Sequence, residues 1–186
     1  MNTGLIAARY ARALLDFANT KGEAHSVYLR MKILADHYLQ LPNLKKTVEN
    51  RVIPSSQRIA LLLQASLADQ GNEDAAGEIL SRFFELVLVR KREDLMCSVC
   101  FQYMDLFRKA NRMVCGVLTT AVPVDEQVTA RLKQLIARDG ARDVELEVRQ
   151  DPAIIGGFTL EIDMNILDAS VAARLKKVRK VLGIVK

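Results

Sequence analysis

The sequence predicts an α+β protein, with an N-terminal six-helix antiparallel bundle followed by a small C-terminal α+β domain. Helical spacing of apolar residues continues almost without interruption to about residue 110. After residue 111, stretches that are rich in β-branched residues or alternate in polarity are interspersed with helical ones. The chain has 186 residues, enough for two compact domains, which we place at residues 1–110 and 111–186.

Six segments of the first domain have the periodicity or the composition of helices. They lie at residues 4–20, 23–40, 43–50, 55–69, 74–90 and 93–110. Gly22, Pro42 and Pro54 separate the first four segments, because both residue types interrupt helices. Short connections favour antiparallel neighbours, as in a helical bundle.

The second domain begins with RMVCGVLTTAVPV, which is rich in β-branched residues and ends near Pro123 as a strand would. A helix is predicted over residues 125–139, and the alternating stretches DVELEVRQ and GGFTLEID predict two more strands. A closing helix is expected from about Ala169. Its apolar stripe consists of Val171, Leu175, Val178 and Leu182.

The first helix carries two apolar sides, whereas a surface helix of a bundle needs only one. We expect one side to pack inside the bundle, namely Ile6, Tyr10, Ala13, Leu14 and Phe17. The fifth helix also has a surplus apolar face. Two neighbouring helices of this kind predict a groove that takes an amphipathic partner helix. The candidate groove residues are Gly4, Ala8, Ala11, Leu15 and Ala18 on the first helix, with Gly77, Ser81, Phe84 and Leu88 on the fifth. The alternative is that other helices of the bundle bury both faces.

Charge and composition limit the classes of partner and location. The chain carries 27 Lys and Arg against 22 acidic residues, and this excess suits nucleic acid, an anionic membrane face or an acidic protein surface. The apolar runs are too short to span a bilayer, and Arg9 and Arg12 interrupt what a signal peptide would keep apolar. Three cysteines cannot all pair within one chain, which indicates reduced thiols in a cytosolic compartment.

No residue set in the sequence points to catalysis or to a metal. Cys97 and Cys100 have the spacing of a redox or zinc motif, with Cys115 as a possible third ligand. The pair lies within a predicted helix, however, and His25 and His37 are distant in sequence. We interpret the cysteines as small core residues, and we find no paired acids or Ser/His/Asp arrangement.

The Gly156-Gly157 pair raises the question of a phosphate loop. Such a loop needs glycines after a strand and directly before a helix, whose amides then face the anion. Here the pair precedes the strand FTLEID, so we expect the glycines to permit a positive φ or a bulge. Asp168 or Ser170 is expected to cap the closing helix.

The closing helix also carries a basic run, which consists of Arg174, Lys176, Lys177, Arg179 and Lys180. We interpret this run as a solvated face. One alternative is contact with acidic segments of a partner helix, and another is nucleic-acid binding by a helical regulator with a basic C-terminal helix. Stacking platforms and recognition-helix motifs, which nucleic-acid readers usually add, are not evident.

An ordered set of motifs resembles the ATP synthase delta subunit family, which includes the oligomycin-sensitivity-conferring protein of mitochondria. RYARALLDFA, residues 9–18, is similar to the first helix of that family. A Thr-Ala-x-Pro strand end spans residues 120–123, and an Asp-to-Gly-Gly turn spans residues 151–157. The architectural residues of the resemblance are Asp151, Gly156, Gly157, Asp168, Ser170 and Leu175.

The resemblance covers essentially the whole chain and implies a non-catalytic role that needs no cofactor. Family members join the catalytic head of the F-type synthase to its peripheral stalk, so that the head resists the rotor's torque. The first domain would hold the N-terminal helix of an alpha subunit in its groove, and the second would hold the ends of the b subunits. We expect a bacterial protein, since no transit peptide precedes the first helix, held at the cytoplasmic face of the cell membrane through the complex.

Overall fold

A computed structural model describes residues 3–67, 75–138, 143–162 and 165–181, apart from the side chains of Glu126, Arg138, Arg179, Lys180 and Val181. The chain divides into two compact units, Met1–Phe107 and Arg108–Lys186. The described residues are mostly helical with one small mixed sheet, which confirms the α+β class. Within them, no helix combines the length and apolar character needed to cross a bilayer.

The N-terminal part of the chain is helical. Its α-helices are α1 (Thr3–Lys21), α2 (Ala24–Gln40), α3 (Pro42–Glu49), α4 (Ser55–Ala65), α5 (Ala75–Val89) and α6 (Met96–Asn111). The sixth predicted segment begins as a 3-10 turn, Glu93–Leu95, before α6. The predicted helix ends at residues 69 and 74 lie outside the described residues, and the antiparallel bundle arrangement stays a prediction.

α2 and α5 lie at the centre of the first unit's core. α2 contacts α1, α3, α4 and α5, and α5 also contacts α1 and α4. The hydroxyl of Tyr103 on α6 donates to the carbonyl of Ala24 at 3.1 Å, and Tyr28 stacks on Phe107 with ring centroids 4.6 Å apart. The largest fully buried side chains include Leu14, Met31, Leu34, Leu62, Leu80, Phe84 and Met96.

An ion cluster around the buried Glu93 joins α4 and the segment after α3 to the 3-10 turn. Glu93 Oε1 accepts a hydrogen bond from Arg51 Nε at 2.8 Å and lies 3.7 Å from Arg58 Nη1. Arg58 also donates to the carbonyl of Val48 at 3.1 Å. Burial opposes ionisation of Glu93, but its backbone hydrogen bond and Arg51 outweigh burial, so the pKa of Glu93 is lowered.

The second unit contains a four-stranded mixed sheet with strand order β2-β1-β3-β4. The strands are β1 (Met113–Thr120), β2 (Asp143–Gln150), β3 (Phe158–Ile162) and β4 (Asn165–Asp168), with helices α7 (Glu126–Arg138) and α8 (Val171–Val181). β1 pairs parallel with β2 and antiparallel with β3, and β4 pairs antiparallel with β3. β4 was not predicted from the sequence, because its residues NILD do not alternate in polarity.

Hydrogen bonds from backbone amides to side-chain oxygens begin α8 and the short turn before β3. Ser170 Oγ accepts from the amide of Ala173 at 3.1 Å and thereby caps α8. Asp168 Oδ1 accepts from the amide of Ser170 at 2.9 Å, and hydrogen bonding by the side chain and then the backbone of Ser170 lowers the pKa of Asp168. Asp151 Oδ1 accepts from the amide of Ala153 at 2.9 Å, at the start of a 3-10 turn.

The Gly156-Gly157 pair lies against the start of α8. The carbonyl of Gly156 accepts from the amide of Val171 at 2.9 Å. Gly157 has a φ of 79°, and a Cβ atom there would overlap the carbonyl oxygen of Ala169. Gly157 therefore permits a close backbone approach between the turn before β3 and the start of α8, because glycine alone fits both the angle and the space at this position.

We predict that Glu93→Gln lowers the free energy of unfolding by about 3 kcal/mol, because Arg58 keeps a buried charge without its partner. The lowered pKa of Glu93 means that its contribution is present above the unfolded-state pKa and is lost as pH falls through the folded-state value. Urea unfolding at neutral and acidic pH measures both effects. Glu78→Gln breaks an exposed pair with Arg82 and should cost less than about 1 kcal/mol. Equal losses in the two variants would contradict the prediction.

We predict that Gly157→Ala destabilises the second unit more than Gly22→Ala destabilises the first. Both glycines have a positive φ, but a Cβ at Gly22 meets open space. Backbone strain costs about 1–2 kcal/mol in each variant, and overlap with Ala169 adds about 1–3 kcal/mol at Gly157. Native-state hydrogen exchange of β1 and β3 amides, with α1 amides for the control, measures the two losses. Equal losses would show that the overlap has no cost.

Candidate helix-binding groove

α1 and α5 contact each other and run in opposite directions. The ring of Tyr10 meets the ring of Phe83 edge-on, with centroids 6.4 Å apart. Phe17, nearer the end of α1, lines the same depression as Ile79, nearer the start of α5. Later residues of α1 therefore lie beside earlier residues of α5, which makes the two helices antiparallel.

The depression between these helices has a volume of about 200 Å³. The described residues that line it are Phe17, Lys21, Ala75, Glu78, Ile79 and Arg82. Its rim is charged, because Arg82 Nη2 lies 2.6 Å from Glu78 Oε1 in an exposed ion pair. Small-molecule sites usually have volumes of about 300–1,000 Å³, so the depression suits a side chain of a partner better than a free ligand.

Apolar side chains continue from the depression along both helices. Phe17 is 37% exposed and Leu86, two turns after Ile79 on α5, is 49% exposed. On α1, Ile6 and Tyr10 are half-buried and Ala13 is exposed. We define the α1/α5 groove by Ile6, Tyr10, Ala13, Phe17, Ile79 and Leu86. Such a strip has the form that binds the apolar side of an amphipathic helix.

The prediction of which face of α1 is open was wrong. Three residues assigned to the groove are at most 7% exposed and belong to the core: Ala11, Leu15 and Ala18. Gly4 is exposed and Ala8 is half-buried. Of the side expected inside the bundle, Leu14 is buried, but the other members are half-buried or exposed. Small side chains allow neighbouring helices to approach closely, so the alanine-rich face packs inward and the bulkier aromatic face remains outside.

The predicted groove face of α5 needs a similar correction. Phe84 is fully buried and Leu88 is 6% exposed, so both belong to the core. Gly77 and Ser81 are half-buried. The neighbouring side of α5 lines the α1/α5 groove instead, because α1 lies next to Phe83 and Ile79. The pairing of α1 with α5 was expected, whereas the faces that remain open are different.

Of the three cysteines, Cys100 is a buried core residue, whereas Cys97 and Cys115 are half-buried. Cys97 and Cys100 lie in the first turns of α6, after the 3-10 turn, and burial raises the pKa of both thiols. A raised pKa keeps a thiol protonated, which disfavours nucleophilic or redox chemistry. Cys115, on β1, has its Sγ 3.8 Å from Glu145 Oε2. The described residues contain no group of three or more side chains that could hold a metal.

The second unit has its own uncovered apolar surface on α8. Val171, Leu175 and Val178 are 39%, 46% and 53% exposed, and we call them the α8 stripe. Leu182, expected to continue this stripe, lies outside the described residues. On α7, Val128 is also exposed at 47%. Helical spacing of exposed apolar residues indicates a face that this unit does not cover.

The family model and the relatives found by comparison with known proteins all indicate the same family. The profile of the family described as "ATP synthase delta (OSCP) subunit" matches residues 6–182. The "ATP synthase subunit delta" of Phocaeicola vulgatus is 37% identical over 180 residues, which cover 97% of this chain and 95% of the relative. The protein of the same name in Flavobacterium johnsoniae is 31% identical over 177 residues, with 95% and 96% covered.

A solved structure shares the fold. A chain in the cryo-EM structure of the Toxoplasma gondii mitochondrial ATP synthase hexamer is similar to this one with a TM-score of 0.60. The likeness covers 95% of this chain and 96% of that chain, at 18% sequence identity. At this identity the likeness concerns the fold alone.

We predict that Ala11→Asp destabilises the first unit and that Ala13→Asp does not. Ala11 is fully buried, so the variant places a carboxylate in the core, which should cost more than about 3 kcal/mol. Ala13 lies two residues away and is exposed, so its carboxylate stays in water. Thermal unfolding followed by far-UV circular dichroism compares the two. Similar midpoints would contradict the assignment of the two faces.

Proposed function

Because the chain belongs to the ATP synthase delta (OSCP) subunit family, we propose that it is a non-catalytic linker in the peripheral stalk of an F-type ATP synthase. In this role it joins the catalytic head to the stalk, so that the head resists the rotor's torque. One observation carries the proposal: each unit has an uncovered apolar surface on its helices, the α1/α5 groove on the first and the α8 stripe on the second. A linker needs two separate docking surfaces. The alternative of a nucleic-acid-binding regulator has no support from the family.

The occupant proposed for the α1/α5 groove is the N-terminal helix of an alpha subunit. A helix laid between α1 and α5 would cover Phe17 and Leu86, which are large and partly exposed. Covering each of them stabilises the complex by about 1 kcal/mol, a part of the value for full burial of such a side chain. The depression at Phe17 and Ile79 would take one apolar side chain of the partner. We also propose that α1 to α6 form an antiparallel bundle, which the opposite directions of α1 and α5 support.

The occupants proposed for the second unit are the ends of the b subunits. The α8 stripe supports this proposal, because its apolar residues are exposed at helical spacing. Both attachments are then helix-to-helix contacts between largely apolar surfaces, which suits a mechanical role. The protein would be peripheral, held at the cytoplasmic face of the membrane through the complex.

The groove assignment predicts that Ala13→Asp weakens binding of the alpha subunit by at least about tenfold, or 1.4 kcal/mol. The variant would bring a carboxylate against the apolar side of the bound helix, where its desolvation is unfavourable. Calorimetric titration of the full chain with a peptide of the N-terminal residues of the alpha subunit from the same organism measures the affinity.

The matched control is Ala60→Asp, because Ala60 is exposed on α4 and is not a groove residue. It should bind the peptide as the unmodified chain does. Binding that Ala13→Asp leaves unchanged would remove α1 from the site, and failure of the unmodified chain to bind would remove the alpha subunit as the occupant.

A further inference from the structure

α8 combines an apolar stripe with a strongly basic surround. Its sequence, VAARLKKVRKV, contains basic residues and no acidic one. Arg174, Lys176 and Lys177 are exposed. On a helical wheel, Arg174 lies beside the α8 stripe, about 40° from Val178, and Lys177 lies about 60° farther round on the same side. The uncovered apolar residues are therefore bordered by positive charge.

The sheet of the same unit carries the opposite charge on one face. The strand register places Glu147 and Glu161 on either side of Val117. Because paired residues point to the same side of a sheet, these carboxylates share a face. The other acidic residues on this face are Asp143, Glu145 and Asp168. Arg149 is the basic residue at the described strand positions of this face, and its Nε lies 2.8 Å from Glu147 Oε1.

The start of α8 is held in place, so the stripe and its basic border are presented together. The Ser170 cap and the hydrogen bond between Gly156 and Val171 both act on its first turn. The described stripe contains no aromatic residue and extends only from Val171 to Val178, whereas helices that lie in membrane interfaces usually carry Trp or Phe along a longer face. These features favour a protein helix over a lipid surface as the occupant.

We propose that the partner docked on α8 is an amphipathic helix whose apolar side is bordered by acidic residues, at the end of a b subunit. This inference rests on the proposed stalk function and adds the chemistry of the partner. The apolar stripe provides the contact area, and the basic border orients the helix and accelerates its association. The acidic sheet face repels the same helix, so it disfavours docking on the wrong side of the unit.

The test uses the full chain and a peptide of the C-terminal residues of the b subunit from the same organism. Replacing Arg174 and Lys177 together, R174E with K177E, should weaken binding by at least about tenfold. The matched control is R131E with K133E, two exposed positions on α7, which makes the same change in net charge and should change affinity less than about twofold. Raising salt from about 50 to 300 mM should weaken binding of the unmodified chain but not of the α8 variant.

A third variant separates the inference from the proposed function. Leu175→Ser should weaken binding and leave the salt dependence unchanged, because it removes an apolar contact only. If Leu175→Ser weakens binding but R174E with K177E changes the affinity no more than R131E with K133E does, the stalk function stands. The proposed acidic border of the partner helix is then overturned. If the unmodified chain does not bind the peptide, both are overturned. Binding to phosphatidylglycerol vesicles through α8, without binding to the peptide, would assign α8 to the membrane and overturn the inference.

Discussion

Close packing of the alanine-rich face of α1 is the constraint on which the first unit depends. Ala7, Ala11 and Ala18 are fully buried, and α1 contacts both α2 and α5. Alanine side chains have almost no conformational entropy to lose on burial, and their small size permits close helix axes. The larger residues Tyr10 and Phe17 are thereby left at the edge of the α1–α5 contact. The groove is thus a consequence of how the core is packed.

Polar interactions also stabilise each unit, at places where apolar packing alone does not hold the segments together. The Glu93 cluster connects segments that are far apart in the chain, and it lies beside core positions rather than in the groove. In the second unit, the described core is small, with Leu118, Val144 and Leu160 among its buried residues. The caps and glycines at the start of α8 therefore contribute much of the local order. A small core leaves helical faces available for partners.

The α1/α5 groove and the α8 stripe are separate uncovered surfaces, one on each unit. Both surfaces are helical and partly apolar, and neither contains a set of groups arranged for chemistry within the described residues. A helix bound in a groove is held through apolar residues at several positions along its length. In the second unit, α8 is basic and one face of the sheet is acidic. An acidic partner helix is therefore expected to dock on α8 and not on that face of the sheet.

The sequence by itself determined the fold class, the positions of most helices and strands, and the family. Local signals are sufficient for these, because periodicity, glycine and proline act over a few residues, and the DVELEVRQ strand matches β2. The sequence also identified α1 and α5 as helices with surplus apolar surface. Only the tertiary structure decided which faces stay open, because Ala11 and Ala13 have similar local signals and differ in what packs against them. β4 was likewise missed, since its four residues do not alternate in polarity, and only its pairing with the preceding strand β3 identifies it as a strand.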